Sequence, residues 1–202
     1  MRTVDLVNTA EKRKAILLAA TKCFARLGIQ GTSISNICEE TGMRTGHLYY
    51  YFSGKDEIIK SVFELILERN ADRIDHMLDN EDFVSAIIKV HEFAEADRRE
   101  WGVTPGLRME FSAEAVRNER LGMIGREHIK RQSAALTRAI RKALAEGQLD
   151  PQFSASDYTN AVLLIWNGLS GMRLYRDFDL AKYAQAIEML LRPKALKTRN
   201  RK

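Results

Sequence analysis

Five glycines fall between positions 28 and 54, and they cut that stretch into pieces that can form helices of only about two turns. Gly28 closes a long apolar-periodic segment, Gly42 closes ISNICEET, and the SGK at 53 to 55 closes GHLYYYF. On both sides the apolar residues recur three and four apart. Ile16, Leu17, Ala20, Phe24 and Leu27 precede the glycine-rich stretch, and Ile58, Val62, Phe63, Ile66, Ile74 and Met77 follow it. Nothing alternates with strand period for long enough to suggest a sheet, so the expected class is all-α. About nine helices are expected, at roughly 9–27, 34–41, 45–52, 56–80, 82–99, 104–117, 119–146, 155–177 and 179–191.

The opening order is long helix, turn, short helix, turn, short helix, the layout of a helix-turn-helix in which one short helix braces a second against DNA. Ile34, Ile37 and Cys38 give the bracing helix an inward face, and Thr32 or Ser33 can cap it. Leu48 and Phe52, four apart, do the same for the next helix. Half of the six tyrosines in the chain stand together at 49 to 51. Successive helical residues turn by about 100°, so three neighbouring rings cannot share one face. Tyr49 is expected beside the inward face, leaving Tyr50 and Tyr51, with Arg44, Thr45 and His47, toward solvent or a ligand.

The stretch GIQGTSISNICEETGMRTGHLYYYFSGKDEIIKSVF resembles the DNA-binding domain of the TetR family of transcriptional regulators. The match runs through Gly31, Thr32, Ile37, Gly42, Gly46, Leu48, Tyr49, Phe52, Lys55 and Ile58. Tyr51 stands where the family usually has His, Ser53 where Pro is frequent, and Arg44 and His47 where small hydroxyl residues are common. The resemblance implies that the helix from Thr45 enters the major groove. Arg44, Thr45 and His47 are then candidates for base edges. Tyr49, Tyr50, Tyr51 and Lys55 are candidates for phosphate, joined by Thr32, Ser33 and Ser35 at the start of the bracing helix. One such unit reads only a few base pairs, which implies a homodimer on near-palindromic double-stranded DNA.

Charge alone decides little. The whole chain carries +5, but the last eleven residues, RPKALKTRNRK, hold six Lys or Arg and no acid, so the remainder is close to neutral. Within those eleven, 193–202 is expected to be a solvated, unstructured tail. No apolar run approaches the roughly 18 residues of a membrane span, and the N-terminus lacks the apolar core of a signal peptide, so a cytoplasmic protein with no membrane partner is expected. Cys23 and Cys38 lie among apolar neighbours and read as buried thiols, with neither disulfide nor metal-ligand spacing. HExxH, GxGxxG and GxxxxGK[ST] patterns are all missing, so no enzymatic activity, cofactor or metal is expected. The rival reading, a helical small-molecule-binding protein without DNA binding, leaves the outward face of 44 to 51 unexplained.

Domains are expected at 1–54 for DNA binding and 55–192 for effector binding and dimerisation, joined without a flexible linker. Aromatic, soft and polar residues of the middle helices, Phe93, Trp101, Arg108, Met109, Phe111, His128, Trp166 and Asn167, are the candidates to line a small-molecule effector pocket. The last two helices are the expected dimer interface, through Ala161, Ile165, Gly168, Met172, Tyr183, Ile187 and Leu190.

Overall fold

The computed structural model describes residues 2–172 and 179–192, and among these no strand occurs. The described helices are α1 (Arg2–Leu27), α2 (Ile34–Thr41), α3 (Thr45–Tyr51), α4 (Lys55–Asn80), α5 (Phe83–Trp101), α6 (Pro105–Arg117), α7 (Glu119–Ala145), α8 (Ala155–Met172) and α9 (Leu180–Leu191). The all-α class and the element order agree with expectation. α1 begins several residues earlier than its apolar stripe suggested, because nothing in RTVDLVNT stops a helix. The tail 193–202 and the side chains of Phe93 and Met172 lie outside the described residues.

Packing divides the chain into two compact units, one of Met1–Ala71 with Glu92–His128, the other of Asp72–His91 with Ile129–Lys202. In the first, Ile16, Ala20 and Phe24 of α1 meet Ile37 of α2, Leu48 of α3, Phe52, and Ile58 and Val62 of α4 in one buried cluster. Phe111 of α6 stacks on Phe63 (centroids 5.3 Å apart) and meets Phe24 edge-on at 6.3 Å. Each such ring contributes about 1.5–3 kcal/mol through burial alone, which is what holds three helices as short as α2, α3 and α6 in place. Leu27 departs from the expected stripe and is exposed, since it ends α1 just before the chain turns at Gly28. Cys23 and Cys38 are buried free thiols, and burial pushes the Cys23 thiol upward. In the second unit the core is built from Ile74 and Met77 of α4, Val84 and Ile87 of α5, Leu136 and Ile140 of α7, Val162 of α8, and Ile187 and Leu191 of α9. No described helix is long and apolar enough to cross a membrane.

Candidate nucleic-acid interface

The bracing helix α2 is fixed at both ends by its own residues. Ser33 is the N-cap, its hydroxyl accepting from Asn36 N at 3.1 Å while Asn36 Oδ1 accepts from Ser33 N at 2.8 Å, a capping box with Asn in the place of Glu. At the other end Gly42 adopts φ 68°, in the left-handed region, and its N–H closes on the carbonyls of Cys38 and Glu39. Thr32 does not present a hydroxyl outward as expected. It is buried, and its Oγ1 donates to the Gly28 carbonyl at 2.8 Å, tying off the end of α1. Ser33 and Ser35 are exposed, so the hydroxyls available at this helix start come from them.

Helix α3 holds Leu48 inward and presents the rest. Arg44, Thr45, Gly46, His47, Tyr49 and Tyr50 are exposed, and the Arg44 side chain does not fold back to cap the helix. A Cβ built on Gly46 would meet nothing within 4 Å, so the centre of this face is bare backbone. The tyrosine run resolves differently from expectation: Tyr49 is half exposed and Tyr51 is the partly buried ring packed against the core. The reason is spacing, because Tyr51 lies three residues from Leu48 and shares its face, while Tyr49 lies only one away. Tyr51 then serves as a floor, with the Tyr50 ring edge-on to it at 5.0 Å and the His47 ring at 5.3 Å. Two aromatic groups on the outward face are thereby held in place by a third.

Two neighbouring elements, α4 and α6, brace the turn that leads into this pair of helices. Lys55, expected at phosphate, donates Nζ to the Gln30 carbonyl at 2.9 Å and so braces the α1–α2 turn with at least one of its donors. From α6, Glu110 Oε1 accepts from Ile29 N at 2.6 Å and Glu114 Oε1 accepts from Gln30 Nε2 at 3.1 Å. Neighbouring acids are offset: Glu40 lies within 4 Å of Lys22 and Arg26, at 3.6 and 3.8 Å, and Glu57 is drawn into hydrogen bonds with Ser53. The outward face of α3 carries Arg44, His47, the Thr45, Tyr49 and Tyr50 hydroxyls and the backbone at Gly46, while Glu39 of α2 is exposed nearby. Groups of this kind are able to donate to phosphate oxygens and to the acceptor-rich edge of guanine. Gly46 was given no role from the sequence. The signal was available, since a glycine in the first turn of a short helix leaves that turn's backbone open to close approach.

The residues expected around an effector are not gathered into one site. Phe111 is core, wedged between Phe24 and Phe63. Trp101 is buried with the Arg69 guanidinium 4.9 Å from its ring centroid, and it lines a crevice with Thr21, Leu65, Ile66 and Val103 that has no room for a water molecule. Arg108 is paired with the buried Asp97 at 2.6 Å. Met109 and Asn167 are exposed, the latter donating to the Leu163 carbonyl, whereas His128 and Trp166 are half-buried. A cleft of ≈220 Å³ lies instead between Asp75, Leu78 and Asp79 of α4 and Ala135, Arg138, Ala139 and Lys142 of α7, and it contains none of the expected residues.

On the last two helices the outward face is partly a different one. Leu190 and Gly168 are exposed as expected, with Ala161 and Ile165 half-buried. Ile187 is buried, because it shares an inward stripe with Tyr183 and Leu191 at four-residue spacing. Burial pushes the Tyr183 phenol up to about 12. Exposure passes to Leu164 (74%) and Met189 (66%), which the sequence did not single out.

Residues 16–62 match the family described as bacterial regulatory proteins, tetR family. The YfiR HTH-type transcriptional regulator of Bacillus subtilis (strain 168) is 23% identical over 187 residues, covering 90% of this chain and 91% of its own length. Among solved structures, Salmonella enterica GusR is 24% identical with a TM-score of 0.67, over 89% of this chain and 94% of its own. A transcriptional regulator from Saccharomonospora viridis in complex with choline is 17% identical with a TM-score of 0.77, over 92% of this chain and 100% of its own. The matched residues 16–62 are the ones that build α2, α3 and their braces, and through them the chain is similar to the TetR family of transcriptional regulators.

Proposed function

We propose that the chain is a homodimeric repressor that binds a near-palindromic operator and is released when a small molecule binds its body. The observation that carries the reading is the outward face of α3, where Arg44, Thr45, His47, Tyr49 and Tyr50 surround the bare backbone of Gly46. Residues 1–54 are the reader, with Arg44, Thr45 and His47 toward base edges and Tyr49, Tyr50, Ser33 and Ser35 toward phosphate. Residues 55–192 form the effector-binding and dimerisation part. α4 follows the reader after only Phe52, Ser53 and Gly54, so a displacement of α4 is passed to α3. DNA as the partner places the protein in the cytoplasm.

Self-association through α8 and α9 is supported by Leu164, Gly168, Met189 and Leu190, an exposed apolar set on two adjacent elements of sequence. Two readers on one dimer put half-sites about 34 Å apart, one turn of duplex. The Saccharomonospora viridis structure, which shares the fold, is in complex with choline, and this supports a small-molecule effector.

The test is selection of duplexes from a random pool by the purified protein at two salt concentrations. A recovered inverted repeat whose binding survives the higher salt supports the dimeric reader. Recovery of salt-sensitive binding without sequence preference would leave the helical small-molecule-binding protein as the better description.

A further inference from the structure

Arg13 lies midway along α1, outside the two helices that meet the groove, yet it touches every part of the joint behind the reading helix. Its Nη1 donates to the Tyr51 carbonyl at the C-terminal end of α3. Its Nη2 stands 3.5 Å from Glu57 Oε1, on the first turn of α4. Its Cζ lies 4.0 Å from the centroid of the Phe52 ring, the residue between the two helices. Glu57 completes the joint with its other oxygen, which accepts from Ser53 N at 2.6 Å and Ser53 Oγ at 2.8 Å.

Each contact answers a local need. The last carbonyls of a helix have no partner inside it, and a cation there also meets the negative end of the helix dipole. A helix of seven residues cannot fix its own direction, so the angle of α3 must be imposed from outside. A planar guanidinium can donate in two directions while its face lies on an aromatic ring, which a lysine ammonium cannot do. Both partners of the ion pair remain about one-third exposed, at 38% and 35%, so the pair adds little to folding, and its distinguishing contribution is geometric.

We propose that Arg13 is a positioning residue for operator recognition, setting the angle of α3 against α1 and the start of α4 and through it the half-site spacing the dimer accepts. This rests on the DNA-reading function above. It assigns no DNA contact to Arg13 itself, whose guanidinium is engaged by Tyr51, Phe52 and Glu57.

The experiment uses the full chain and the duplex recovered by selection, together with duplexes whose half-site spacing is one or two base pairs longer or shorter, and an unrelated duplex. Wild type is compared with Arg13→Gln, Arg13→Lys and Glu57→Gln, each first checked by circular dichroism and melting. For Arg13→Gln, affinity at the optimal spacing is expected to fall about tenfold or more, and preference among spacings to flatten, while the unrelated duplex is bound within about twofold of wild type. Arg13→Lys, keeping charge and losing the two-way geometry, should fall between, and Glu57→Gln should flatten the preference in part. An unchanged spacing preference in the folded variants would overturn the proposal, as would an equal loss on specific and unrelated duplexes. Should Arg13→Gln fail to fold, Arg13→Lys and Glu57→Gln carry the same two outcomes. A wild-type protein with no preferred duplex would overturn the DNA-reading function itself, a result distinct from either.

Discussion

Gly46 sits at the centre of a polar face with nothing near the position its Cβ would occupy. A side chain there meets no protein atom, so Gly46→Leu should leave stability unchanged or raise it by about 0.5–1 kcal/mol through helix propensity. The same side chain would stand between the helix backbone and the base edges. Operator affinity should therefore fall by about tenfold or more while the melting temperature holds or rises. Full binding by this variant would mean that α3 meets the duplex along another face. The His47 and Tyr50 rings belong to the same surface, and both rest on Tyr51, whose role came from its three-residue spacing to Leu48. Sequence periodicity could place Leu48 and Phe52 inward. It also held the ranking of the three adjacent tyrosines, since only Tyr51 lies three residues from Leu48 and shares its face.

At the scale of elements, short helices depend on what ties their ends. Gly42 holds φ 68°, a conformation that costs an L-residue about 1–2 kcal/mol. Gly42→Ala should lower unfolding free energy by about that amount, read from urea titration, with a matching loss of operator binding only where the reader is marginally folded. α6 reaches the same region through Glu114, which is buried. Its carboxyl is held below the ordinary glutamate value of 4.5, first by the Gln30 amide and then, against desolvation, by Arg117. A folded pKa below the unfolded one means that the folded state binds fewer protons, so the contribution is complete above about 4.5 and is lost as pH falls through that value toward the folded pKa. Glu114→Gln should flatten this acid-side fall in melting temperature, and Glu114→Ala should cost about 0.5–1.5 kcal/mol at neutral pH by removing the hydrogen bond to the exposed Gln30 amide. An identical acid limb in wild type and Glu114→Gln would assign the loss elsewhere. Helix limits were legible because glycines and caps are local signals, as Ser33 and Gly42 show. The ties of Glu110, Glu114 and Lys55 to residues 29 and 30 were not, because they join positions up to 84 apart and leave no pattern in spacing.

At the scale of the whole molecule, the proposed dimer needs a surface that joins two copies. Amphipathic reading placed α8 and α9 at the interface but divided their faces imperfectly. α9 carries apolar residues almost all round, so its inward stripe of Tyr183, Ile187 and Leu191 resembles its outward pair Met189 and Leu190 until packing separates them. Leu164 is the sharpest probe, being a large apolar side chain that is 74% exposed on α8. Leu164→Glu disturbs no core contact and should change the stability of one copy by less than about 0.5 kcal/mol. In a dimer the same carboxylate would face its symmetry mate's surroundings out of water, at a cost of several kcal/mol unless paired. Sedimentation should therefore show dimer for wild type and monomer for the variant at micromolar concentration. Operator affinity should fall by about a hundredfold or more, because each monomer then binds one half-site without the second contact being made intramolecular. Residual half-site binding with intact helicity would locate the defect in association. A variant that still sediments as a dimer and binds its operator fully would place the interface away from Leu164, and with it the geometry that sets the spacing of the two reading helices.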